Sequence, residues 1–338
     1  MRIAPPGGRA SPPSARGDRE PSTEGETPSL PGKSNGVQRK PAMQTRSSFP
    51  NPGTAWLLIV PTLFVLAVFL YYPALQTLKL SFYRVGFLGL TSEFTGLKNY
   101  VDLFTDPYYR RIFLNTAIFA GSTVVLSMVC GLGLALLANQ KVTGWRVYRL
   151  LLIWPYALPP AVGGVIILFM VNSQAGILNY FLDSLLGIRP DWLINPKLAM
   201  AVTIVASVWK NIGYNVVFYL AALQNLPGEV LEAALIDGAG PWKRFWKITL
   251  PLLSPMTLFL LVVNTIYAFF DTFAFIDLLT KGGPAEATTI LIYSIYRDGF
   301  QYFKTGFAAA QSVVLFVVVV GLTVLQFRFS GKMVHYGG

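Results

Sequence analysis

Apolar residues gather into six runs, near 55–77, 113–138, 149–171, 198–223, 252–275 and 309–328. Each holds roughly 20 residues or more, the length a helix needs to cross about 30 Å of hydrocarbon. Pro73, Pro155, Pro159 and Pro160 fall inside these runs. Transmembrane helices tolerate them because neighbouring helices and polar side chains satisfy the backbone groups a proline frees. The pattern predicts an all-α, polytopic membrane protein with six transmembrane helices in one domain over residues 51–338. Residues 1–50 follow another pattern, rich in Pro, Gly, Ser, Arg and Glu and nearly free of aliphatic side chains. They are expected to be a disordered cytoplasmic tail, because such a segment cannot bury enough apolar surface to offset its ordering entropy. No apolar stretch follows the early arginines, so the tail does not read as a signal peptide. Translation from Met43 would leave a short lead-in of ordinary type, and the tail is expected to carry no function.

Composition strengthens this picture. Hydrophobic residues make up 53% of the chain and charged residues 13%, against about 25% charged in soluble domains. The formal charge of +11 could suggest nucleic acid, but eight of the 27 Lys and Arg residues lie in the first 50 positions and most others flank apolar runs. That distribution fits the excess of positive charge in cytoplasmic loops, so no nucleic-acid partner is expected. Lys141 and Arg146, with Arg149 just beyond, mark the 139–148 loop, Lys243, Arg244 and Lys247 the 224–251 loop, and Arg328 and Lys332 the C-terminal tail. These segments are assigned to the cytoplasm, with both termini inside. The loops at 78–112, 172–197 and 276–308 fall outside, although the first holds Lys79, Arg84, Lys98, Arg110 and Arg111. One Cys and one His leave no intrachain disulfide, no Cys/His zinc set and no His-based triad. Cys130, inside an apolar run, reads as a packing residue.

The most informative segment runs from Leu226 to Pro251. Pro227 suits the first turn of a helix, where a missing N–H costs nothing, and Glu229 would sit near its positive end. Val230, Leu231, Ala233, Ala234 and Leu235 make a short helix with a small-residue face, and Gly238 lets the backbone turn where it stops. A second helix is expected from about Pro241. Glu232-Ala233-Ala234, then Gly238, Ile248 and Leu250-Pro251 at their spacing resemble the EAA signature of binding-protein-dependent ABC importer permeases, with Asp237-Gly238-Ala239 inside it. The resemblance implies the type I importer permease fold and makes this segment a cytoplasmic coupling helix docking on a separate ATPase. It extends over roughly residues 50–338, in the carbohydrate-type branch. The stretches Ser207–Asn215, Tyr267–Phe273, Gly282–Pro284, Ala287–Thr289, Leu291–Phe300 and Ala310–Leu315 are similar to the branch that carries sn-glycerol 3-phosphate.

Ionisable residues inside spans are expensive and usually functional. Lys210, Asn211, Tyr214 and Asn215 form one polar stripe at helical spacing, and Asn264, Tyr267 and Asp271 form another. Two such stripes on facing spans would line an aqueous path, and a Lys with amide and hydroxyl donors suits a phosphate-bearing polyol. The other reading is that Lys210 and Asp271 pair and lock two spans together. Arg297 and Asp298, in the last external segment, read either as contacts for a binding protein or as a self-paired surface couple.

No Gly-x-x-x-x-Gly-Lys-Ser/Thr phosphate loop is present, so ATP would be hydrolysed by a partner. Gly131, Gly133, Gly163 and Gly164 read as helix-packing sites. An ion-coupled secondary transporter would need in-span carboxylates and inverted repeats, and a membrane enzyme a clustered catalytic set; neither is evident. The expected assembly, within the bacterial inner membrane, holds a second homologous permease, two copies of an ATP-binding subunit and an extracytoplasmic solute-binding protein. No cofactor or metal is implied. An uncharged sugar remains the alternative cargo.

Overall fold

The computed structural model describes residues 52–86, 91–140 and 144–330. The expectations for the tail at 1–50 and for Lys141 and Lys332 lie outside them. The chain divides into two compact units, Met1–Leu57 and Leu58–Gly338. Of the first, the described residues are Pro52–Leu57, which begin helix α1. Everything else described belongs to the second.

All six apolar runs are helical, but several are interrupted. The first comprises α1 (Pro52–Leu66), a widened turn at Ala67–Tyr71 and α2 (Tyr72–Leu80). Pro73 has no N–H for the carbonyl four residues back, and the helix relaxes locally to a longer-range bond, from the Tyr72 N–H to the Ala67 carbonyl. A three-residue hairpin, β1 (Tyr83–Val85) with β2 (Ser92–Phe94), and α3 (Lys98–Thr105) follow. This hairpin is the one departure from an all-α chain among the described residues. Helix α4 spans Pro107–Ala138, with Asp106 capping it by accepting from the Tyr108 N–H.

The third run is not a single straight span. Helix α5 (Trp145–Ala157) and α6 (Pro160–Met170) meet at a bend of 103°. Pro159 and Pro160 cause it: each removes a donor, and each pushes the residue before it out of the helical region, so Leu158 and Pro159 are extended. After α7 (Ile177–Leu186) comes α8 (Pro196–Gln224), 29 residues long and capped by Asn195. The next segment folds as α9 (Gly228–Ile236), α10 (Pro241–Arg244) and α11 (Leu250–Leu252). It leads into α12 (Ser254–Ile266), a widened turn at Tyr267–Asp271 and α13 (Phe273–Leu279). Helices α14 (Leu291–Tyr296) and α15 (Thr305–Ser330) complete the chain.

Among the described residues four helices are long and apolar enough to cross a membrane, or five if the bent α5–α6 pair counts as one span. Helix α8 is long enough but not among them, because Lys210, Asn211 and Asn215 lower its mean hydropathy. Large apolar side chains such as Phe69, Val129, Phe316 and Val324 face outward along the spans. In water such surface would be costly; in lipid it is the expected exterior.

The core lies where α4 and α8 pack, with Phe119, Ala135 and Tyr219 buried. A Cβ on Gly131 would stand 2.4 Å from the Asn215 Cβ, so this glycine sets the helix separation. Gly163 and Gly164 likewise admit Phe275 and Leu278, whereas Gly133 faces open space. Cys130 is exposed rather than packed. The largest correction concerns Arg297 and Asp298. Both are buried, and they do not pair with each other. Arg297 donates to both Glu286 carboxylate oxygens at 2.8 and 2.9 Å and also to the Tyr108 hydroxyl. Asp298 accepts from Tyr109, Ser294 and Gln311. They belong to the widened turn Arg297–Gln301 that follows α14, which packs against α4 and α15 instead of lying on the surface.

Candidate transport cavity and docking segment

A cavity of about 410 Å³ opens at the α5–α6 corner, lined by Tyr156, Pro160, Lys210, Asn211, Tyr214, Val263, Ile266, Tyr267 and Asp271. Five of the seven residues expected on the path are therefore on its wall. The Lys210 side chain is nearly buried, yet its ammonium reaches the cavity. Its Nζ donates to the Tyr156 carbonyl at 2.6 Å and lies 4.7 Å from the centre of the Tyr156 ring. The ion pairs among the described residues are Arg189–Asp183 and Arg297–Glu286. Lys210 and Asp271 thus share the cavity without closing on each other, and the structure does not contain the lock. The Tyr267 hydroxyl donates to the Ser207 carbonyl at 3.0 Å, tying the widened turn to α8. That turn carries Asp271, which is exposed to the cavity side.

Asn215 and Asn264 are the two that are not on the wall. They are fully buried one layer behind it. Asn264 Oδ1 accepts from Asn211 Nδ2 at 2.6 Å and from Asn215 Nδ2 at 3.1 Å, and Asn264 Nδ2 donates to Asn215 Oδ1 at 2.8 Å and to the Leu260 carbonyl at 2.7 Å. The stripes therefore meet edge to edge: one side fastens α8 to α12, and the other faces the cavity. Sequence reasoning missed Tyr156. Its signal was the Pro159-Pro160 pair, which leaves the Tyr156 carbonyl without a helical donor.

In the segment before α12, α9 ends at Ile236 and the chain turns at Gly238, which adopts φ +70°. The Gly238 and Ala239 N–H groups donate to the Leu235 and Ala234 carbonyls, a left-handed helix stop that only glycine adopts at low cost. Pro227 stands one position before α9 rather than within its first turn. Ala234 is buried, whereas Glu232, Ala233 and Asp237 are exposed and Ile236 is 87% exposed. Ile248, Leu250 and Pro251 are half-buried where the chain turns into α12. An exposed isoleucine on a short polar-ended helix is surface that favours a cover.

The sequence profile of the family described as "Binding-protein-dependent transport system inner membrane component" matches residues 112–334. The chain belongs to this family. It is therefore a multi-pass inner-membrane transport component rather than an enzyme. The "sn-glycerol-3-phosphate transport system permease protein UgpA" of Yersinia enterocolitica is 47% identical over 293 residues, covering 86% of this chain and 99% of that protein. The protein of the same name from Agrobacterium fabrum is 46% identical, covering 86% of this chain and 98% of its own length. In fold the permease is similar to a chain of a bacterial ABC transporter that imports the acidic polysaccharide alginate. The TM-score is 0.74, with 22% identity over 84% of this chain and 96% of the other. A second structure of that transporter, in complex with an alginate pentasaccharide-bound periplasmic protein, matches equally well, with a TM-score of 0.74.

Proposed function

We propose that this permease passes sn-glycerol 3-phosphate, or a related glycerophosphodiester, across the inner membrane, driven by a separate ATPase. The observation that carries the reading is Lys210, a nearly buried cation on the wall of a cavity of about 410 Å³. A cation shielded from bulk water is the partner a phosphate needs. The Tyr214 hydroxyl and the second N–H of Asn211 offer neutral donors for the remaining oxygens, and Asp271 suits a cargo hydroxyl. Relatives that match almost end to end and bear the glycerol 3-phosphate name support the same cargo.

The exposed face of Glu232, Ala233, Ile236, Asp237 and Gly238, with the half-buried Ala239 beside it, is the coupling surface, received by a groove of the ATP-binding subunit. Helices α8 and α12 flank it and would carry its displacement to the cavity. The complex comprises a second homologous permease, a dimer of ATP-binding subunits and an extracytoplasmic binding protein. The permease crosses the bilayer six times, α8 included, with both termini in the cytoplasm. The deciding experiment is uptake of labelled glycerol 3-phosphate by the reconstituted complex in competition with neutral sugars. Inhibition by unlabelled glycerol 3-phosphate and not by maltose is expected; the reverse would assign an uncharged sugar.

A further inference from the structure

The Tyr156 carbonyl marks a device at the cavity's corner. In an unbroken helix it would accept from the N–H of residue 160, but Pro160 has none. Lys210 Nζ takes that place at 2.6 Å, from another helix. The two arms of the corner rest on different supports. Helix α5 lies so close to α8 that a Cβ on Gly213 would stand 2.9 Å from the Leu152 carbonyl oxygen and 3.0 Å from the Ile153 Cα. Helix α6 rests on α13, where a Cβ on Gly164 would stand 3.0 Å from Leu278 Cδ1. Helix α8 leads out of the cavity to α9, and α13 follows the turn that bears Asp271. The Lys210–Tyr156 bond thus anchors the corner, at the last turn of α5, to α8, the helix that runs on to the docking segment.

We propose that Lys210 is a latch: its ammonium holds the corner by satisfying the carbonyl that Pro160 orphans, and an anionic cargo opens the corner by drawing that ammonium away. The first half stands on geometry alone. The second rests on the anionic-cargo reading above. An ammonium has three donors, and the carbonyl uses one, so a phosphate arriving in the cavity competes for a group already in place. Cargo then loosens the corner before the ATPase closes, and an empty permease resists closure.

The test uses the complete complex with its ATPase, in liposomes, and measures ATP hydrolysis without cargo as well as uptake. Lys210→Met should raise cargo-free hydrolysis about tenfold, the population change implied by loss of one charge-assisted hydrogen bond. Replacing both prolines, Pro159→Ala with Pro160→Ala, removes the residues that hold Leu158 and Pro159 extended, so α5 can run on, residue 160 can donate to the Tyr156 carbonyl, and Lys210 is freed. The double variant should also raise cargo-free hydrolysis and should lower the glycerol 3-phosphate concentration for half-maximal uptake, which mere damage to a hinge would not do. Unchanged cargo-free hydrolysis in an assembled Lys210→Met complex overturns the latch. So does an unchanged or raised half-maximal concentration in the Pro159→Ala, Pro160→Ala double variant, which decides alone if the Met variant does not assemble. Failure of the cargo reading is separable: the wild-type complex would then take up neutral sugars, while cargo-free hydrolysis would still report on the latch.

Discussion

Replacing Asn264 by Leu removes the centre of a buried amide cluster. Three side-chain bonds disappear, at 2.6, 2.8 and 3.1 Å. At about 0.6 kcal/mol for an average bond between transmembrane helices, the loss is about 2 kcal/mol. Asn211 Nδ2 then has no acceptor, and stranding one buried donor adds about 1–3 kcal/mol. A destabilisation of about 3–5 kcal/mol is expected, read as a fall in the thermal midpoint and in denaturant resistance of the purified complex. The cluster reasoning makes a sharper demand. Asn215 and Asn264 exchange two bonds, so Asn215→Leu should cost much less when Asn264 is already Leu, with a coupling of about 1 kcal/mol or more. Strict additivity of the two substitutions would refute the claim that these amides fasten α8 to α12.

Gly131→Ala should destabilise by about 1–3 kcal/mol, because its new Cβ would meet Asn215 at 2.4 Å. Gly133→Ala, facing open space two residues on, should be neutral or slightly stabilising in the same melting assay. Glu286→Gln leaves the buried Arg297 guanidinium with a weaker partner; with the Glu286 side chain 42% exposed the expected cost is about 1–3 kcal/mol. It should appear as faster tryptic cleavage at Lys281. Ile236→Asp should leave the melting midpoint unchanged, since the side chain is 87% exposed, yet abolish copurification with the ATP-binding subunit. Normal copurification would remove α9 as the docking helix.

The helical runs, the α9 stop at Gly238 and the polar stripes are legible in the sequence because their signals are local. A run of aliphatics, a glycine after a short helix and an i, i+4 stripe each declare themselves within a few residues. The α5–α6 corner was half legible: three prolines announced a disturbance, but its 103° size depends on what each arm packs against. The fates of Arg297 and Asn264 were not legible. Arg297 reads as surface charge until Glu286 and Tyr108, 11 and 189 residues away, close around it. Asn264 shares a stripe with Tyr267 and Asp271, yet it turns toward α8 while the widened turn at Tyr267–Asp271 swings Asp271 to the cavity. Pairings across the fold decide both.

The polarity of α8 has a consequence for how the chain is made. When α8 emerges from the ribosome, Asn264, the acceptor for Asn211, is still 53 residues from synthesis. A lysine near the middle of an isolated helix costs about 2.5–3.5 kcal/mol to insert. The Tyr156 carbonyl that holds Lys210 is already present, as is Gly131 of α4, against which Asn215 nests. Helix α8 therefore enters the bilayer as the second half of a pair, leaning on α4 and α5. Its Asn211 and Asn215 side chains gain their partner on α12 only when Asn264 arrives. The order of synthesis, α4 and α5 first and α12 last, is the order in which those polar groups can be satisfied.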